Sequence, residues 1–215
     1  MRRFLAKLRN LLFPTKCIVC GKIIKAEREE ICPECRKTLP LAGAGLTPGD
    51  YHEGTISPLK YEGGIRDAFL RYKFNGHYWL AEPFGELLAE NISLQIGGRF
   101  DTIAWAPISK KRLRRRTYDQ SRLLAEQVGI LLDTPVIAGL AKVRDTRANS
   151  SLTGEKERRR NVADAYEALS GIEGKRILLI DDVLTTGSTL SECARTLLLG
   201  GAESVICAAL LRSGD

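Results

Sequence analysis

Short aliphatic runs alternate along this chain with segments whose apolar residues recur at helical spacing. The runs at 102–106, 176–180 and 205–211 predict strands buried on both faces, because a half-exposed strand would alternate apolar with polar residues. Helical spacing covers residues 78–96, 118–132 and 190–199. Strands that alternate with helices in this way predict an α/β protein with a parallel sheet and helices on both faces.

Two further segments have weaker patterns. Residues 136–143 are mixed and predict a short strand, whereas residues 145–161 are polar and charged and predict a mobile loop or a surface helix. The length of 215 residues fits one ordinary domain with a small appendage. We therefore expect two domains, 1–45 and 46–215, of which the first carries a cationic helix and a cysteine-rich unit.

The composition is basic, with a formal net charge of +7. This charge favours an anionic partner, although it does not choose among phosphate, nucleic acid and a membrane surface. Much of the positive charge lies in one run, Lys110–Arg116. Aromatic residues make up only 7% of the chain, so no base-stacking platform is evident beside that run.

Residues 1–13 combine cations with an apolar helical face. We expect an amphipathic helix packed on its own domain, and the alternative is a peripheral contact with a membrane surface or a partner. The cations that interrupt the apolar positions, and the lack of a small-residue cleavage site, argue against a signal peptide. No apolar run is long enough to span a bilayer, so we expect a cytoplasmic protein.

Four of the six cysteines form two Cys-x-x-Cys pairs, Cys17 with Cys20 and Cys32 with Cys35, separated by eleven residues. This spacing is typical of the two knuckles of a tetrahedral zinc site. Four thiolates leave no position for water, which predicts a structural rather than a catalytic Zn2+. The alternatives are a disulfide framework, which suits a secreted chain, and a redox site, which needs only one of the two pairs.

The most specific chemistry in the chain follows the predicted strand 176–180. Asp181 and Asp182 come first, and hydroxyl residues around Gly187 then precede a helix. Backbone amides at a helix start suit a phosphate monoester, while adjacent carboxylates accept hydrogen bonds from a vicinal diol or hold Mg2+ through water. This pattern predicts a ribose 5-phosphate site, with the acids solvated at the mouth of the sheet. The alternative is an ordinary strand-to-helix turn in which Ser188 or Thr189 is the N-cap.

A second candidate loop follows the predicted strand 102–106 and contains Ser109 and Lys110. Loops at the carboxyl ends of parallel strands are where such sheets bind ligands. If the two acids hold a ribose, the amides and cations of this second loop are placed to hold a pyrophosphate. The alternative is that the whole basic run is the solvated start of a helix.

The segment 177–189 closely resembles the loop of type I phosphoribosyltransferases that binds 5-phosphoribosyl 1-pyrophosphate (PRPP). In that family the two acids bind the ribose 2- and 3-hydroxyls, and the Thr-Thr-Gly-Ser-Thr portion wraps the 5-phosphate. The resemblance implies the ribose role for Asp181 and Asp182. It implies the 5-phosphate role for Thr185, Thr186, Gly187, Ser188 and Thr189.

Several other motifs occur in a fixed order along the chain. They are the two cysteine pairs, Tyr61-Glu-Gly-Gly-Ile-Arg66, Lys73-Phe74-Asn-Gly76, Pro107-x-Ser109, Arg116-x-Tyr118-x-Gln120 and Arg158-x-x-Asn161-Val162. Their order is similar to that of the ComF family over nearly the whole chain. This resemblance implies a type I phosphoribosyltransferase-like sheet, an N-terminal four-cysteine zinc finger and a role in taking up single-stranded DNA during natural transformation. One departure is Thr117, where members of the family usually have glycine.

On this resemblance we expect PRPP or a related ribose 5-phosphate, bound with Mg2+, and single-stranded DNA as ligands. Other competence or recombination proteins are further expected partners. Arg147 and Arg158 are candidate lid residues over the PRPP site. The candidate DNA-binding residues are the rest of the basic run, Lys111, Arg112, Arg114, Arg115 and Arg116.

Turnover of PRPP stays open, because purine-using relatives place an aspartate where this chain has Thr185. Three functions are therefore compatible with the sequence. The first is a ComF-like protein of single-stranded DNA uptake that has a PRPP site. The second is a metabolic phosphoribosyltransferase that transfers ribose 5-phosphate to an unidentified acceptor, and the third is a zinc-bearing nucleic-acid-binding module with a vestigial site.

Overall fold

The computed structural model describes residues 15–24, 30–147 and 154–214, so the cationic helix predicted over residues 1–13 lies outside the described residues. The strands of the described part are β1 (Thr47–Gly49), β2 (His52–Ile56), β3 (Leu59–Lys60), β4 (Thr102–Trp105), β5 (Leu140–Lys142), β6 (Tyr166–Ala168), β7 (Arg176–Leu184) and β8 (Ser204–Arg212). The helices are α1 (Pro33–Lys37), α2 (Gly63–Phe74), α3 (Ala81–Ile96), α4 (Lys110–Arg116), α5 (Gln120–Leu131), α6 (Glu155–Val162) and α7 (Ser188–Leu199), with a 3-10 turn at Tyr78–Leu80. Among the described residues, no helix combines the length and apolar character needed to cross a membrane.

Within the described part of the chain, six strands form one sheet in the order β1-β2-β8-β7-β4, with β3 also paired to β8. The strands β2, β3 and β7 run parallel to β8, and β4 runs parallel to β7. The exception in this sheet is β1, which is antiparallel to β2. The strands β5 and β6 form a separate antiparallel pair.

Alternate residues of β7 point into two hydrophobic clusters on opposite faces of the sheet. Leu178 and Ile180 pack with α2, α3 and α5, whereas Ile177 and Leu179 pack with α7. All four side chains are fully buried. A strand covered on both faces needs apolar residues at every position, which explains the continuous aliphatic run. The predicted α/β class, with helices on both faces of a mainly parallel sheet, is confirmed.

The strand β7 is longer than the sequence predicts. The aliphatic run ends at Ile180, but β8 stays paired with β7 as far as Leu184, so both acids belong to the strand. Backbone pairing does not depend on side-chain polarity. A prediction that relies on apolar residues therefore ends the strand too early.

The helix α2 was not predicted, because it opens with two glycines and carries several cations. Its structure explains the glycine at position 64, since a Cβ atom on Gly64 would lie 2.7 Å from a methyl carbon of Val19. The side chain of Arg71 donates a hydrogen bond to the Ile18 carbonyl in the same cysteine-bearing segment. That segment thus packs closely along α2, and it shares a hydrophobic cluster with α2 and α3. The boundary at residue 45 stays a prediction.

Candidate functional site

The carboxyl end of β7 projects past its neighbour β4. The last paired residues of the two strands are Trp105 and Ile180, and one further hydrogen bond joins the Ala106 amide to the Ile180 carbonyl at 2.9 Å. Beyond this point β7 continues beside β8, and the projecting part carries Asp181 and Asp182. Because β4 ends before the acid pair, no strand of the described residues flanks Asp181 and Asp182 on that side. A ligand can approach the two acids from there.

Two donors within the protein hold the carboxylate of Asp181. Its Oδ1 accepts hydrogen bonds from the Ser121 hydroxyl at 2.9 Å and from the Asp182 amide at 2.8 Å. Burial raises the pKa of Asp181 to about 7, and the adjacent Asp182 carboxylate acts in the same direction. A ligand that brings a cation or donates hydrogen bonds favours the charged form of this group.

Asp182 is paired with a cation that the sequence prediction did not place in the site. Its Oδ2 lies 2.5 Å from the Lys73 ammonium, and the residue is only 9% exposed. The expectation that both acids are solvated at the mouth of the sheet is therefore wrong for Asp182. Lys73 belongs to the Lys73-Phe74-Asn-Gly76 motif of the sequence. Spacing along the sequence, however, does not show that the end of α2 reaches β7.

The motif from Arg116 to Gln120 forms hydrogen bonds with the end of α2, which carries Lys73. The Gln120 amide donates to the Lys73 carbonyl at 3.4 Å, and the Tyr72 hydroxyl donates to the Gln120 carbonyl at 2.7 Å. The Arg116 guanidinium donates to Gln120 Oε1 at 2.9 Å. Burial lowers the pKa of Arg116, while the nearby Asp182 charge acts in the opposite direction. These contacts fix the end of α2 beside the acid pair.

The turn between α4 and α5 positions the loop that follows β4. Asp119 caps α5 by accepting from the amides of Ser121 and Arg122, and its other oxygen accepts from the Ile108 amide at 3.0 Å. Thr117 precedes it with a φ of 70°, in the left-handed region that favours glycine. Its position matches the glycine that the ComF family usually has.

The loop between β7 and α7 has the features of a phosphate site. Thr185 and Thr186 are exposed, and Gly187 adopts a φ of 74° that glycine allows without strain. The N-cap of α7 is Gly187, and no side chain caps the helix. The alternative in which Ser188 or Thr189 is the N-cap is therefore wrong. The first amides of a helix have no partner within the helix, so the start of α7 is suited to an anion.

The predicted pyrophosphate residues lie at the same edge of the sheet, after β4. Ser109 is 4% exposed and is the N-cap of α4, with its hydroxyl accepting from the Arg112 amide at 3.4 Å. Lys110 begins the helix and is exposed. The basic run is thus helical, as its alternative interpretation holds, but it is not solvated throughout, because Arg112 and Arg116 are only half exposed.

The basic run divides into two groups by its contacts. Arg112 donates to the carbonyls of Thr146 and Arg147 at 2.8 and 2.9 Å, and Arg116 contacts Gln120. The other cations are exposed, namely Lys110, Lys111, Arg114 and Arg115. Two of the predicted DNA-binding residues therefore have structural partners within the chain.

The segment between β5 and β6 contains both candidate lid residues. The Arg147 amide donates to Asn161 Oδ1 at 2.9 Å, and Asn161 Nδ2 donates back to the Arg147 carbonyl at 3.1 Å. Arg158 lies on α6, and the next residue, Arg159, pairs with Asp50 at 2.5 Å. Arg147 is therefore held against Asn161 of α6 by two hydrogen bonds. Residues 148–153 lie outside the described part.

One further cation near the acids was missed in the sequence. Lys142 on β5 donates to the Tyr166 hydroxyl at 2.9 Å and lies 4.7 Å from the centroid of that ring. Burial lowers the pKa of Lys142 to about 8, and Arg112 acts in the same direction, whereas Asp181 opposes it. Lys142 lies in a segment with a weak hydrophobic pattern, so the sequence did not indicate that it approaches the acid pair.

A cleft of about 340 Å3 adjoins the phosphate-like loop on the side of β1 and β2. Thr185 and Gly187 form part of its wall, together with Arg159, Arg212 and His52. The Arg212 guanidinium donates to the Thr47 hydroxyl at 2.9 Å. Two arginines therefore lie beside the loop, although one of them, Arg159, is paired with Asp50, which also lines the cleft.

The four paired cysteines come together in the fold. The sulfur atoms of Cys17, Cys20, Cys32 and Cys35 all lie within 4.8 Å of one another. Cys20 Sγ and Cys32 Sγ are 3.8 Å apart, which matches the edge of a tetrahedron with Zn–S bonds of about 2.3 Å. The amides of Cys32 and Cys35 donate to the sulfurs of Cys17 and Cys32. This donor set fits a structural Zn2+.

Comparison with known proteins agrees with this architecture. Residues 120–215 match the phosphoribosyl transferase domain family, and residues 8–45 match the double zinc ribbon domain family. Competence protein ComFC of Streptococcus pneumoniae is 30% identical over 209 residues, which cover 91% of this chain and 87% of that protein. DNA utilization protein YhgH of Salmonella typhimurium is 28% identical, covering 88% of this chain and 86% of that protein. Among solved structures, a glutamine PRPP amidotransferase from B. subtilis is 18% identical over 65% of this chain and 30% of its own, with a TM-score of 0.45.

Proposed function

The chain belongs to the ComF family, and from that premise we propose that it handles single-stranded DNA during DNA uptake and binds PRPP or a related ribose 5-phosphate. Its relatives bear the names competence protein and DNA utilization protein. The observation that carries the ligand proposal is that an acid pair and a helix start without a side-chain cap lie on one short segment, residues 181–188. Together they match a diol and a phosphate on one sugar.

In this proposal Asp181 and Asp182 accept hydrogen bonds from the ribose hydroxyls. The 5-phosphate lies in the loop of Thr185, Thr186, Gly187, Ser188 and Thr189, where the first amides of α7 meet it. Carboxylates are ligands that suit Mg2+, so the acid pair also fits a hydrated magnesium ion that arrives with PRPP. When bound, that ion neutralises charge on the pyrophosphate.

Ser109 and Lys110 belong to the proposed pyrophosphate site in the loop after β4. Ser109 already caps α4, so its role is to shape this loop, whereas the exposed Lys110 is free to turn toward an anion. Arg147 and Arg158 are the proposed lid residues, because the segment that carries them joins β5 to β6 near the acid pair. The Arg112 guanidinium donates hydrogen bonds to the Thr146 and Arg147 carbonyls, at the start of that segment.

The proposal is limited to binding, since Thr185 occupies the position of the aspartate in purine-using relatives. The structural zinc site has a separate role. It orders the cysteine-bearing segment, which contacts α2 through Gly64 and Arg71. The end of α2 in turn presents Lys73 to Asp182. Zinc therefore supports the acid pair without touching a ligand.

A paired titration of the zinc-loaded protein tests the proposal. PRPP with Mg2+ is added by calorimetry, and a labelled single-stranded oligonucleotide is then added to the same preparation, alone and in competition. We expect both ligands to bind. Ribose 5-phosphate should compete with PRPP, and free ribose should not, because the phosphate loop supplies much of the affinity. If the folded, zinc-loaded protein binds neither ligand, the proposal is wrong.

A further inference from the structure

Five aromatic side chains gather where α2 ends, and we name them the aromatic platform. Phe74, Tyr78 and Trp79 are 56%, 61% and 53% exposed. The rings of His77 and Trp79 lie 4.4 Å apart at 31°, and Tyr78 meets Trp79 edge-on at 5.6 Å. Tyr118 completes the group, 6.3 Å from Tyr78. The rings of Phe74, Tyr78 and Trp79 are mostly outside the core, and an apolar surface that covers them would stabilise them.

The platform meets the basic helix α4 at Arg116. The Arg116 guanidinium lies 5.1 Å from the centroid of the Phe74 ring. The exposed cations on the same helix are Lys110, Lys111, Arg114 and Arg115. An α-helix rises 1.5 Å per residue, so these cations extend over about 9 Å from the edge of the platform. That length corresponds to a small number of phosphates along an extended strand.

We propose that the aromatic platform and the exposed cations of α4 form one surface that binds single-stranded nucleic acid. Successive bases stack on the exposed rings while the cations neutralise the adjacent phosphates. Every base has a stacking face, so this surface selects little by sequence. A duplex hides those faces, so the same surface favours a single strand. The inference rests on the proposed DNA role and adds the surface that performs it.

The low aromatic content of the chain gave no indication that exposed rings lie beside the basic run. Folding brings Tyr118 to the 74–79 segment, because the turn after α4 packs on the end of α2. The platform also borders the candidate ribose site. Lys73 points inward to Asp182, and the next residue, Phe74, is exposed on the platform. A strand bound here therefore runs past the mouth of the PRPP site.

Binding of a fluorescein-labelled oligothymidylate, measured by anisotropy across a salt series, tests the inference. The platform variant is Phe74→Ala with Trp79→Ala, and the cation variant is Arg114→Gln with Arg115→Gln. The matched control is Tyr51→Ala, because Tyr51 is also an exposed aromatic residue, at 57%, but lies in the turn between β1 and β2. Zinc content and melting temperature establish that each variant is folded.

We expect the platform variant to bind the single strand on the order of tenfold or more weakly for each ring removed, with an unchanged salt slope. The cation variant should lower that slope by about 0.7 for each arginine. Binding to the matched duplex should respond to the cation variant alone. The conservative variant Trp79→Phe should retain most of the affinity, and Tyr51→Ala should bind like the wild type.

The outcomes separate this inference from the proposed function. If the wild type binds oligothymidylate and the platform variant binds it equally well, the DNA role stands and the platform is not its surface. If the wild-type protein binds no single strand at any salt concentration, both the inference and the DNA part of the proposed function fail. The PRPP titration is independent of both results.

Discussion

The Lys73 ammonium lies 2.5 Å from an oxygen of Asp182, which joins the last turn of α2 to the projecting end of β7. Two residues earlier on the same helix, Arg71 donates to the Ile18 carbonyl beside the zinc ligand Cys17. The helix α2 therefore connects the cysteine cluster to the acid pair through neighbouring side chains. A change at either end should affect the other.

Replacing Lys73 with methionine should destabilise the protein by about 2–4 kcal/mol, because it leaves a nearly buried carboxylate without its partner. The double variant with Asp182→Asn should recover more than half of this loss, since both charges are then absent. Chemical denaturation measures the four free energies of unfolding. Losses that simply add in the double variant would contradict the pairing.

An exposed ion pair on the same helix provides the control for that cycle. Arg66 and Asp67 lie 3.5 Å apart with side chains that are 50% and 63% exposed. Replacing Arg66 with methionine should cost less than about 0.5 kcal/mol, because solvent screens such a pair. A loss as large as that for Lys73 would show that the substitution disturbs α2 itself.

Replacing Asp181 with asparagine should raise the melting temperature, and the gain should grow between about pH 5 and about pH 8. The pKa of Asp181 is raised to about 7, so the folded state binds this proton more tightly than the unfolded state. The resulting stability is full below the ordinary pKa of 3.8 and is lost as the pH rises through 7. Asparagine carries no charge and keeps the acceptor for Ser121.

Calorimetric melting of both proteins across this pH range measures the effect. The variant should also lose affinity for PRPP, so stability and binding change in opposite directions. A difference in melting temperature that does not vary with pH would mean that Asp181 is already ionised in the folded protein at pH 5.

Removing Zn2+ should weaken PRPP binding as well as disorder the cysteine-bearing segment. Metal analysis should find one zinc per chain in the wild type, and none in Cys17→Ser with Cys20→Ser. The loss of the packing around Gly64 and Arg71 frees α2, which displaces Lys73 from Asp182. Restored zinc should recover the affinity of chelated wild-type protein but not that of the variant. Full affinity for PRPP in zinc-free protein would refute the connection.

Replacing Thr117 with glycine should stabilise the protein by about 0.5–1 kcal/mol. Thr117 ends α4 with a φ of 70°, which costs a β-branched residue more than glycine loses in chain entropy. The control is Thr38→Gly, because Thr38 ends α1 with a φ of −110° and should lose stability on the same change. Denaturant midpoints measure both effects. Equal destabilisation at the two positions would show that Thr117 is not strained.

The parts of the site that follow one another in the chain were predictable. The acid pair, the hydroxyl loop and the start of α7 form a continuous segment, so their position next to one another depends on local geometry alone. The four cysteines were predictable for a similar reason, since the spacing within each pair fixes how the two sulfurs point.

The parts that depend on tertiary contacts were not predictable. Lys73 reaches Asp182 only because α2 packs across the sheet, and the two residues lie far apart in the sequence. The aromatic platform forms only when Tyr118 meets the end of α2. The helix α2 itself was obscured by Gly63 and Gly64, although the second of these provides the space that Val19 fills.

Calorimetric titration of PRPP with Mg2+ into zinc-loaded protein tests the central claim most directly, using the wild type, Asp181→Asn, Asp182→Asn and the control Asp133→Asn. Asp133 is exposed and has a left-handed conformation that asparagine tolerates, so its variant should bind like the wild type. Each variant of the acid pair should lose about 1.5–3 kcal/mol of binding free energy, which corresponds to a fall in affinity of roughly tenfold or more. Wild-type affinity in both acid-pair variants, with zinc content and melting like those of folded protein, would contradict the assignment of this edge of the sheet as the ribose site.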